Sequence, residues 1–452
     1  MANDLCHCNW VCTRGLTILS SQNLTENAYN SMTTAAVHQK IVSPAGQTFL
    51  QFAPWPHFEG DEIEAVTSVL RSGKVNYWTG QEGRLFESEF AQSVGTKYAI
   101  CLANGTVALE LALQALGIGR GHEVITTCRT FIASASCIVM RGARPVCVDV
   151  DLDSQNITAE TIRRAITPRT KAIIAVHLAG WPCDMDPILK LAAEFGLYVI
   201  EDCAQAQGAM YKGRPVGSMG HAAAFSFCQD KIMTTAGEGG MLTTNDPALW
   251  ERAWSFKDHG KSYDAVHNRE HGEGFRWLHE SFGTNWRMTE VQAALGRVAL
   301  TKVPRWVETR RHHANTMTKT LSGLPGLQIP TVPDSVRHAY YKYYAFLRPE
   351  MLQDGWDRDA IMRAIKAEGV PCFVGSCSEI YLEKAFVARR KHPTLPVARL
   401  LGETSLMFLV HPTLSDEHIA LTCRTIEDVI TKAVKCNTVS ARRCAATPTT
   451  HT

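Results

Sequence analysis

The sequence predicts an α/β fold, with a mostly parallel sheet in a large domain and a smaller α+β domain towards the C-terminus. Strand-like apolar runs at residues 123–127, 145–150, 172–177 and 198–201 alternate with helical segments such as 159–165 and 184–195. This alternation predicts right-handed crossovers between parallel strands. After residue 300 a long helix rich in Arg and His, at 303–321, leads to shorter segments at 338–347 and 360–369, which predict the smaller domain.

The same changes in pattern predict the domain boundaries. The large domain is expected at residues 46–302 and the small one at 303–435. Residues 1–45 lack periodicity and the continuous apolar core of a signal peptide, and residues 436–452 are rich in Thr, Ala and Arg, so both are expected to be extensions. The first extension carries Cys6, His7, Cys8 and Cys12, whose spacing matches no standard zinc pattern, and no metal site is predicted.

Composition excludes several classes of partner. Lys plus Arg number 46 against 44 for Asp plus Glu, so the net charge of +2 gives no electrostatic reason to expect nucleic-acid or membrane partners. No transmembrane run is visible. The 15 cysteines lie mostly inside apolar runs and lack paired zinc spacing, which favours reduced thiols in a cytoplasmic protein.

Three separate segments predict a site for pyridoxal phosphate. Lys231 lies between the apolar run 225–227 and the glycine-rich loop 237–240, a fixed position suited to a lysine that forms a Schiff base. Asp202 closes the apolar run 198–200 and can hold a proton on the ring nitrogen of the cofactor. Asn104, Gly105 and Thr106 open an amphipathic helix, whose first N–H groups can bind phosphate. Each alone is compatible with a solvated charge or a helix cap, whereas the set in this order is specific.

Together with Thr130-Phe131, Gln205, Ser226 and the segments 285–290 and 338–341, these motifs resemble the DegT/StrS family of sugar aminotransferases, which have the type I fold of pyridoxal phosphate enzymes. The resemblance covers roughly residues 46–435. It implies that Phe131 stacks on the pyridine ring, that Gln205 contacts the side of the ring carrying the 3-hydroxyl, and that Ser226 binds the phosphate. From the residues alone, an aromatic in the place of Phe131 is more often core packing.

The resemblance also implies a homodimer with composite sites. Asn285 would donate to the partner's cofactor phosphate, and the segment containing Tyr77 and Trp78 would approach the partner's substrate. From sequence alone, Asn285 is better explained as the N-cap of a helix beginning near Met288, whereas Trp78 is equally a core residue. The substrate pocket could also be lined by polar or aromatic groups further along the chain, namely Arg129, Trp181, His338, Tyr341 and His411. Of these, His338 and Tyr341 are the predicted substrate-binding residues.

Two departures from the family pattern stand out. The family commonly has glycine where Ala236 stands and often histidine where Gln207 stands. If position 236 is left-handed, alanine strains the loop after the lysine. Related sugar dehydratases carry histidine in place of the lysine, so Lys231 favours transamination.

The predicted reaction moves an amino group from glutamate to a nucleotide-linked keto sugar, in amino-sugar biosynthesis for polysaccharide or a glycosylated metabolite. Lys231 would both anchor the cofactor and act as the base. Two alternatives stay open: an aminotransferase acting on another keto substrate such as an inosose or the precursor of an aminobenzoate, and a non-catalytic pyridoxal phosphate-binding regulator. The lack of a DNA-binding helix-turn-helix or a basic stripe weighs against a transcriptional regulator.

Overall fold

The computed structural model describes residues 40–42, 48–388 and 392–435. Strands β1 (Lys40–Val42) and β2 (Thr48–Leu50) form an antiparallel pair in a unit that ends at residue 51. From residue 52 onwards the chain forms a second compact unit. Apart from β1, the extensions predicted at residues 1–45 and 436–452 lie outside the described residues.

The first part of the second unit alternates helices and strands. In chain order these are α1 (Gly60–Ser72), α2 (Glu82–Val94), β3 (Tyr98–Leu102), α3 (Gly105–Ala115), β4 (Glu123–Thr127), α4 (Ala133–Met140), β5 (Arg144–Val148), α5 (Ala159–Arg163), β6 (Thr170–Val176), α6 (Met185–Phe195), β7 (Tyr198–Asp202), β8 (Met210–Tyr211), β9 (Arg214–Pro215), β10 (Ala222–Ser226), β11 (Gly240–Thr244), α7 (Pro247–Lys257) and α8 (Tyr263–His267).

Seven of these strands form one sheet in the order β3-β11-β10-β7-β6-β4-β5. Strands β5, β4, β6, β7 and β10 pair in parallel, and β11 pairs antiparallel with both β10 and β3. Every residue of β4, β10 and β11 is buried, because helices cover both faces of the sheet. The predicted α/β class with a mostly parallel sheet is therefore confirmed.

The remaining elements follow a long helix. They are α9 (Glu290–Leu321), β12 (Leu327–Gln328), β13 (Val336–Arg337), β14 (Tyr343–Leu347), α10 (Arg358–Ala367), α11 (Lys384–Val387), α12 (Pro396–Thr404), β15 (Ser405–Phe408) and α13 (Asp416–Ala433). A small sheet of order β12-β14-β15 packs with the end of α9 and with α10 and α13 around its own apolar cluster.

Helix α9 begins earlier than the helix predicted at 303–321. Thr289 is its N-cap and forms a capping box with Gln292, and the helix continues past Pro304 without a break. The predicted boundary between residues 302 and 303 lies inside this helix. None of the helices in the described ranges has the length and apolar content needed to cross a bilayer.

A buried carboxylate fixes the amino-terminal edge of the sheet. Glu123, the first residue of β4, is 1% exposed. It accepts hydrogen bonds from Arg144, from Arg169 at 2.6 Å and from the Thr167 hydroxyl at 2.7 Å. Burial alone would raise the pKa of Glu123, but these bonds outweigh it and lower the pKa to about 2. The carboxylate therefore joins β4, β5 and the turn before β6.

We expect Glu123→Gln to lower the free energy of unfolding at pH 7 by about 1–2 kcal/mol, because the charge-assisted bonds are lost while their arginines are partly exposed. Since the folded-state pKa lies below the ordinary value of 4.5, the loss should shrink as the pH falls from 4.5 towards 2. Urea unfolding at several pH values measures both effects. Glu194→Gln, which breaks an exposed pair with Arg163, is the control and should leave stability unchanged. A pH-independent loss would contradict the electrostatic explanation.

Candidate functional site

The carboxyl ends of the parallel strands enclose a cavity of about 590 Å³. Open α/β sheets bind ligands at this edge, because the loops that follow neighbouring strands meet there. The cavity brings together most of the residues that the sequence predicts for the cofactor, namely Gly105, Thr106, Phe131, Asp202, Gln205, Ser226 and Lys231.

The start of α3 forms one wall of the cavity. Asn104 is the N-cap, and its side chain accepts a hydrogen bond of 3.0 Å from the backbone N–H of Val107. A Cβ atom at Gly105 would lie 2.6 Å from the Cβ of Ser226, so only glycine allows the helix to approach the end of β10 this closely. The first N–H groups of α3 and the hydroxyls of Thr106 and Ser226 together make a donor set that fits a phosphate group.

Asp202, at the end of β7, lies in the same cavity with a side chain that is almost completely buried. Its carboxylate accepts a hydrogen bond from the Ser134 hydroxyl at 2.7 Å and one from the Ala204 N–H at 3.1 Å. Burial raises the pKa of Asp202, and these neutral donors oppose the shift only in part. A buried carboxylate of this kind needs a cationic partner, and the protonated ring nitrogen of pyridoxal phosphate would supply one. The residues present therefore fit this cofactor.

A buried pair behind Asp202 holds the end of β7. His177 Nε2 lies 3.0 Å from the carboxylate of Glu201, and its Nδ1 accepts a hydrogen bond from the Cys183 N–H, which places the proton on Nε2. Glu201 also accepts three backbone N–H groups from the loop 217–220. Although Cys203 completes a group with the spacing of a metal site, these hydrogen bonds already occupy the histidine and the carboxylate. The pair is structural, and no local sequence pattern indicates it.

Lys231 is held on the opposite side of the cavity. The indole of Trp55 donates to its carbonyl oxygen at 2.7 Å. Its Nζ lies 3.0 Å from a carboxylate oxygen of Asp230 and 5.2 Å from the centroid of the Tyr341 ring. The Tyr341 hydroxyl donates to the other oxygen of Asp230. Burial would raise the pKa of Asp230, but Lys231 and Tyr341 outweigh it and lower the pKa. Asp230 was not predicted, because an acid beside a lysine has no diagnostic spacing.

Both departures from the family pattern lie close to Lys231. Ala236 has φ of 63°, so the left-handed conformation considered from the sequence is present and costs about 1–2 kcal/mol in an alanine. The loop is held by hydrogen bonds from Thr234 to the carbonyl of Phe227 and from Thr235 to that of Glu238. Gln207 is buried and donates to the carbonyl of Ser226 at 2.6 Å, which fixes the end of β10.

Phe131 and Gln205 have the exposure expected of residues that face a ligand. The Phe131 side chain is 67% exposed, so the interpretation of this aromatic as core packing is wrong. Gln205 uses its carbonyl oxygen to accept the N–H of Ala179 at 2.8 Å, and this bond leaves its amide NH₂ group as the donor available to the cavity.

The candidate substrate residues are divided among three places. Tyr341 lies beside Lys231, as described above. His338 is buried, stacks on Tyr340 at 3.9 Å and contacts Trp181. Burial and the nearby Arg311 lower the pKa of His338 to about 3, so it is neutral. It does not line the cavity that contains Lys231.

Tyr77 and Trp78 lie away from this cavity. Tyr77 is 3% exposed and donates its hydroxyl to Glu87, which makes it a residue of the buried core. Trp78 is partly exposed, donates to Asp258 at 2.7 Å and lies 4.1 Å beneath the ammonium of Lys261. Only Trp78 of the two therefore has surface to offer to a ligand.

Asn285 lies on the chain segment that runs beside the end of β3. It is exposed and forms an isolated bridge with Asp258. Because Thr289 caps α9, the interpretation of Asn285 as an N-cap is wrong. Asn285 does not line the cavity that contains Lys231.

Residues 56–427 match the model of the DegT/DnrJ/EryC1/StrS aminotransferase family. An aminotransferase from Psychrobacter cryohalolentis of known structure is 55% identical, with a TM-score of 0.83 over 85% of this chain and 100% of that chain. GDP-perosamine synthase from Escherichia coli O157:H7 is 36% identical over 82% of this chain and 96% of its own length. UDP-N-acetyl-3-dehydro-alpha-D-glucosamine 3-aminotransferase from Acidithiobacillus ferrooxidans is 38% identical over 80% of this chain and 93% of its own.

We expect Asp202→Asn to stabilise the cofactor-free protein but to reduce the stabilisation gained on adding pyridoxal phosphate. Because burial raises the folded-state pKa, the charged carboxylate destabilises the empty fold at neutral pH, and this penalty disappears as the pH falls below that pKa. The Oδ1 of asparagine can accept from the Ala204 N–H, and its amide NH₂ can donate to the Ser134 hydroxyl in place of the bond that the carboxylate accepts. Thermal unfolding with and without the cofactor measures both the stability of the empty protein and the stabilisation that the cofactor adds. As a control, Asp258→Asn removes a buried carboxylate that has cationic partners, and should destabilise both forms. An unchanged cofactor-induced shift for Asp202→Asn would exclude the ring nitrogen as its partner.

Proposed function

The chain belongs to the DegT/DnrJ/EryC1/StrS aminotransferase family, and we propose that it transfers the amino group of glutamate to the ketone carbon of a nucleotide-linked sugar, with pyridoxal phosphate attached at Lys231. Aminotransferases of this family depend on that cofactor. The observation that carries the proposal is the meeting of Lys231 and Asp202 in one cavity. The cofactor needs a lysine for attachment and a carboxylate for its ring nitrogen.

A nucleotide sugar is the acceptor that the relatives favour. The names of the Escherichia coli and Acidithiobacillus relatives refer to a GDP-linked and a UDP-linked sugar. The cavity of about 590 Å³ is in the size range of small-molecule sites, and the exposed Phe131 lies at its surface. The proposed role is therefore amino-sugar biosynthesis, and the unpaired cysteines of the described residues agree with a cytoplasmic location.

Each residue of the cavity has a proposed task. When bound, pyridoxal phosphate supplies the electron sink that makes the Cα proton of the amino donor removable. Asp202 keeps a proton on the ring nitrogen, and Ser134 orients its carboxylate. Lys231 removes the Cα proton of the donor and returns it on the other side of the transferred nitrogen. In the reverse half-reaction it delivers a proton to the sugar carbon that accepts the amino group. Asp230 lies within hydrogen-bond distance of Lys231 Nζ and helps to position it.

The proposed assembly is a homodimer in which each subunit completes its partner's site. Three large aromatic residues in the segment before Asn285 are strongly exposed: Phe275 (78%), Trp277 (84%) and Phe282 (99%). Exposed aromatic side chains in one segment mark an interaction surface. Asn285 and Trp78, which lie away from Lys231 in their own chain, would then serve the partner's cofactor phosphate and substrate.

We expect borohydride reduction of the cofactor-loaded protein to fix the cofactor on Lys231, located by peptide mass spectrometry. With glutamate as donor, a panel of nucleotide keto sugars should include at least one acceptor. Lys231→Ala should lose several orders of magnitude in turnover, because one residue supplies both attachment and proton transfer. Labelling elsewhere would refute the attachment site, and a preference for an inosose or a small keto acid over every nucleotide sugar would refute the acceptor class. Cofactor binding without turnover would favour the regulatory alternative.

We expect co-expressed Lys231→Ala and Asn285→Ala subunits, each inactive alone, to regain about a quarter of wild-type activity, because half of the dimers carry one intact composite site. The matched control pairs Lys231→Ala with Asp202→Asn, since both residues serve the cavity of one chain and no heterodimer has an intact site. Activity assays on the co-expressed mixture measure this, and heterodimers purified from it should reach about half of wild-type activity. Equal recovery in both pairs, or a monomer in sedimentation, would contradict composite sites.

A further inference from the structure

A second lysine lies beside the catalytic one. Lys342, between Tyr341 and the first residue of β14, is partly exposed. Its Nζ is 4.9 Å from the centroid of the Tyr341 ring, and Nζ of Lys231 is 5.2 Å from the same centroid. The two ammonium groups therefore lie within about 10 Å of each other. Lys342 makes no hydrogen bond or ion pair with any residue that the structure describes.

A buried arginine adds to this positive charge. Arg310, on α9, is 1% exposed and donates Nη1 to the carbonyl oxygen of Tyr341 at 3.1 Å. Its Nε and Nη2 are buried without a hydrogen-bond partner among the described residues. A guanidinium with two unpaired donors is costly to bury unless an anion approaches it. Its guanidinium carbon lies 5.1 Å from the ring of Trp55, whose indole also binds the carbonyl of Lys231.

The neighbouring charges do not balance. The titratable and charged groups that act on Lys342 and its surroundings are Arg310, Lys231, Asp230, Tyr341 and His411. Burial and then Arg310 lower the pKa of Lys342 to about 8, and burial lowers that of His411 to about 2, so the imidazole is neutral. Asp230 is the carboxylate of this set, and it is already engaged by Lys231 and Tyr341. Three cations thus share one carboxylate.

We propose that Lys342, supported by the charge of Arg310, binds a carboxylate of the amino-acid donor. This inference rests on the proposed transamination, because the donor's amine must meet the cofactor where Lys231 is attached. The α-carboxylate is one carbon from that amine, and the side-chain carboxylate of glutamate is a few ångströms further. The separation of at most about 10 Å between the ammonium groups of Lys231 and Lys342 is of the size that such a donor would span. The cofactor phosphate is assigned to the other wall, at Gly105 and Ser226. An anionic donor would balance the excess charge.

The test compares Lys342→Met with Lys342→Arg in the cofactor-loaded enzyme. We expect Lys342→Met to lower kcat/KM for glutamate at least about tenfold, because a charge-assisted hydrogen bond is lost, and to leave KM for the keto sugar unchanged. Titration calorimetry with glutarate, which has two carboxylates and no amine, should show a similar loss of affinity. Lys342→Arg should retain both the kcat/KM for glutamate and the affinity for glutarate. The matched control is Lys366→Met, which removes an ammonium 5.8 Å from the ring of Phe373, outside this cluster.

The pH dependence of glutarate binding gives a second test. Because the ammonium of Lys342 loses its proton near pH 8, the affinity of the wild type should fall as the pH rises through that value. Lys342→Arg stays charged and should lose this dependence, and Lys342→Met should be weak at every pH. The same fall in Lys342→Arg would overturn the assignment of the titrating group.

The donor series identifies the carboxylate. If Lys342→Met lowers kcat/KM with both glutamate and alanine, Lys342 binds the α-carboxylate. If kcat/KM falls with glutamate alone, Lys342 binds the side-chain carboxylate. A raised KM for the nucleotide sugar with unchanged glutamate kinetics would overturn the proposal in favour of a pyrophosphate site. Unchanged glutarate affinity in Lys342→Met would also overturn it. If the wild type transaminates no substrate, the proposed function fails, whereas glutarate binding still reports on the site.

Discussion

The architecture of the site depends on a buried carboxylate that contacts no cationic side chain among the residues described by the structure. Asp202 receives two neutral hydrogen bonds, from Ser134 and Ala204, and its pKa is raised by burial. Such a group lowers the stability of the empty fold and becomes favourable only when a positively charged ligand approaches it. The packing behind it is correspondingly rigid, since the buried pair of His177 and Glu201 fixes the strand end and the loop 217–220. The empty fold is thus less stable than it could be, but the carboxylate is already in position to contact the ligand.

The cluster of charged groups around Tyr341 has the opposite charge to Asp202. Lys231, Lys342 and Arg310 gather around this tyrosine, and Asp230 is the carboxylate among them. A ligand that carries both a cationic ring nitrogen and a carboxylate would match Asp202 and this cluster. This difference in charge follows from burial and sequence in a single chain, and it gives a physical reason for orienting an amino acid in one direction.

The predicted site residues form two groups that lie apart in the folded structure. Gly105, Ser226 and Lys231 meet because their strands end at the same edge of the sheet. Trp78 and Asn285 lie elsewhere, next to Asp258, and are not among the residues that line that cavity. The strongly exposed aromatic residues that precede Asn285 give this second region the character of a surface that is covered by another molecule. The proposed homodimer joins the two regions.

The sequence by itself determined the α/β class and the strands of the parallel sheet, because apolar periodicity is a local property. Together with the family resemblance it also identified seven of the residues that line the cavity. It could not place the start of α9, since Pro304 interrupts the helical pattern, whereas the capping box and tertiary contacts stabilise a continuous helix. Only the tertiary structure decided that Phe131 is exposed, that Tyr77 is buried, and that Asp230 contacts Lys231. It also decided that Arg310 and Lys342, 32 positions apart in the chain, face one tyrosine. Burial and charge balance depend on residues distant in sequence, and no local pattern encodes them.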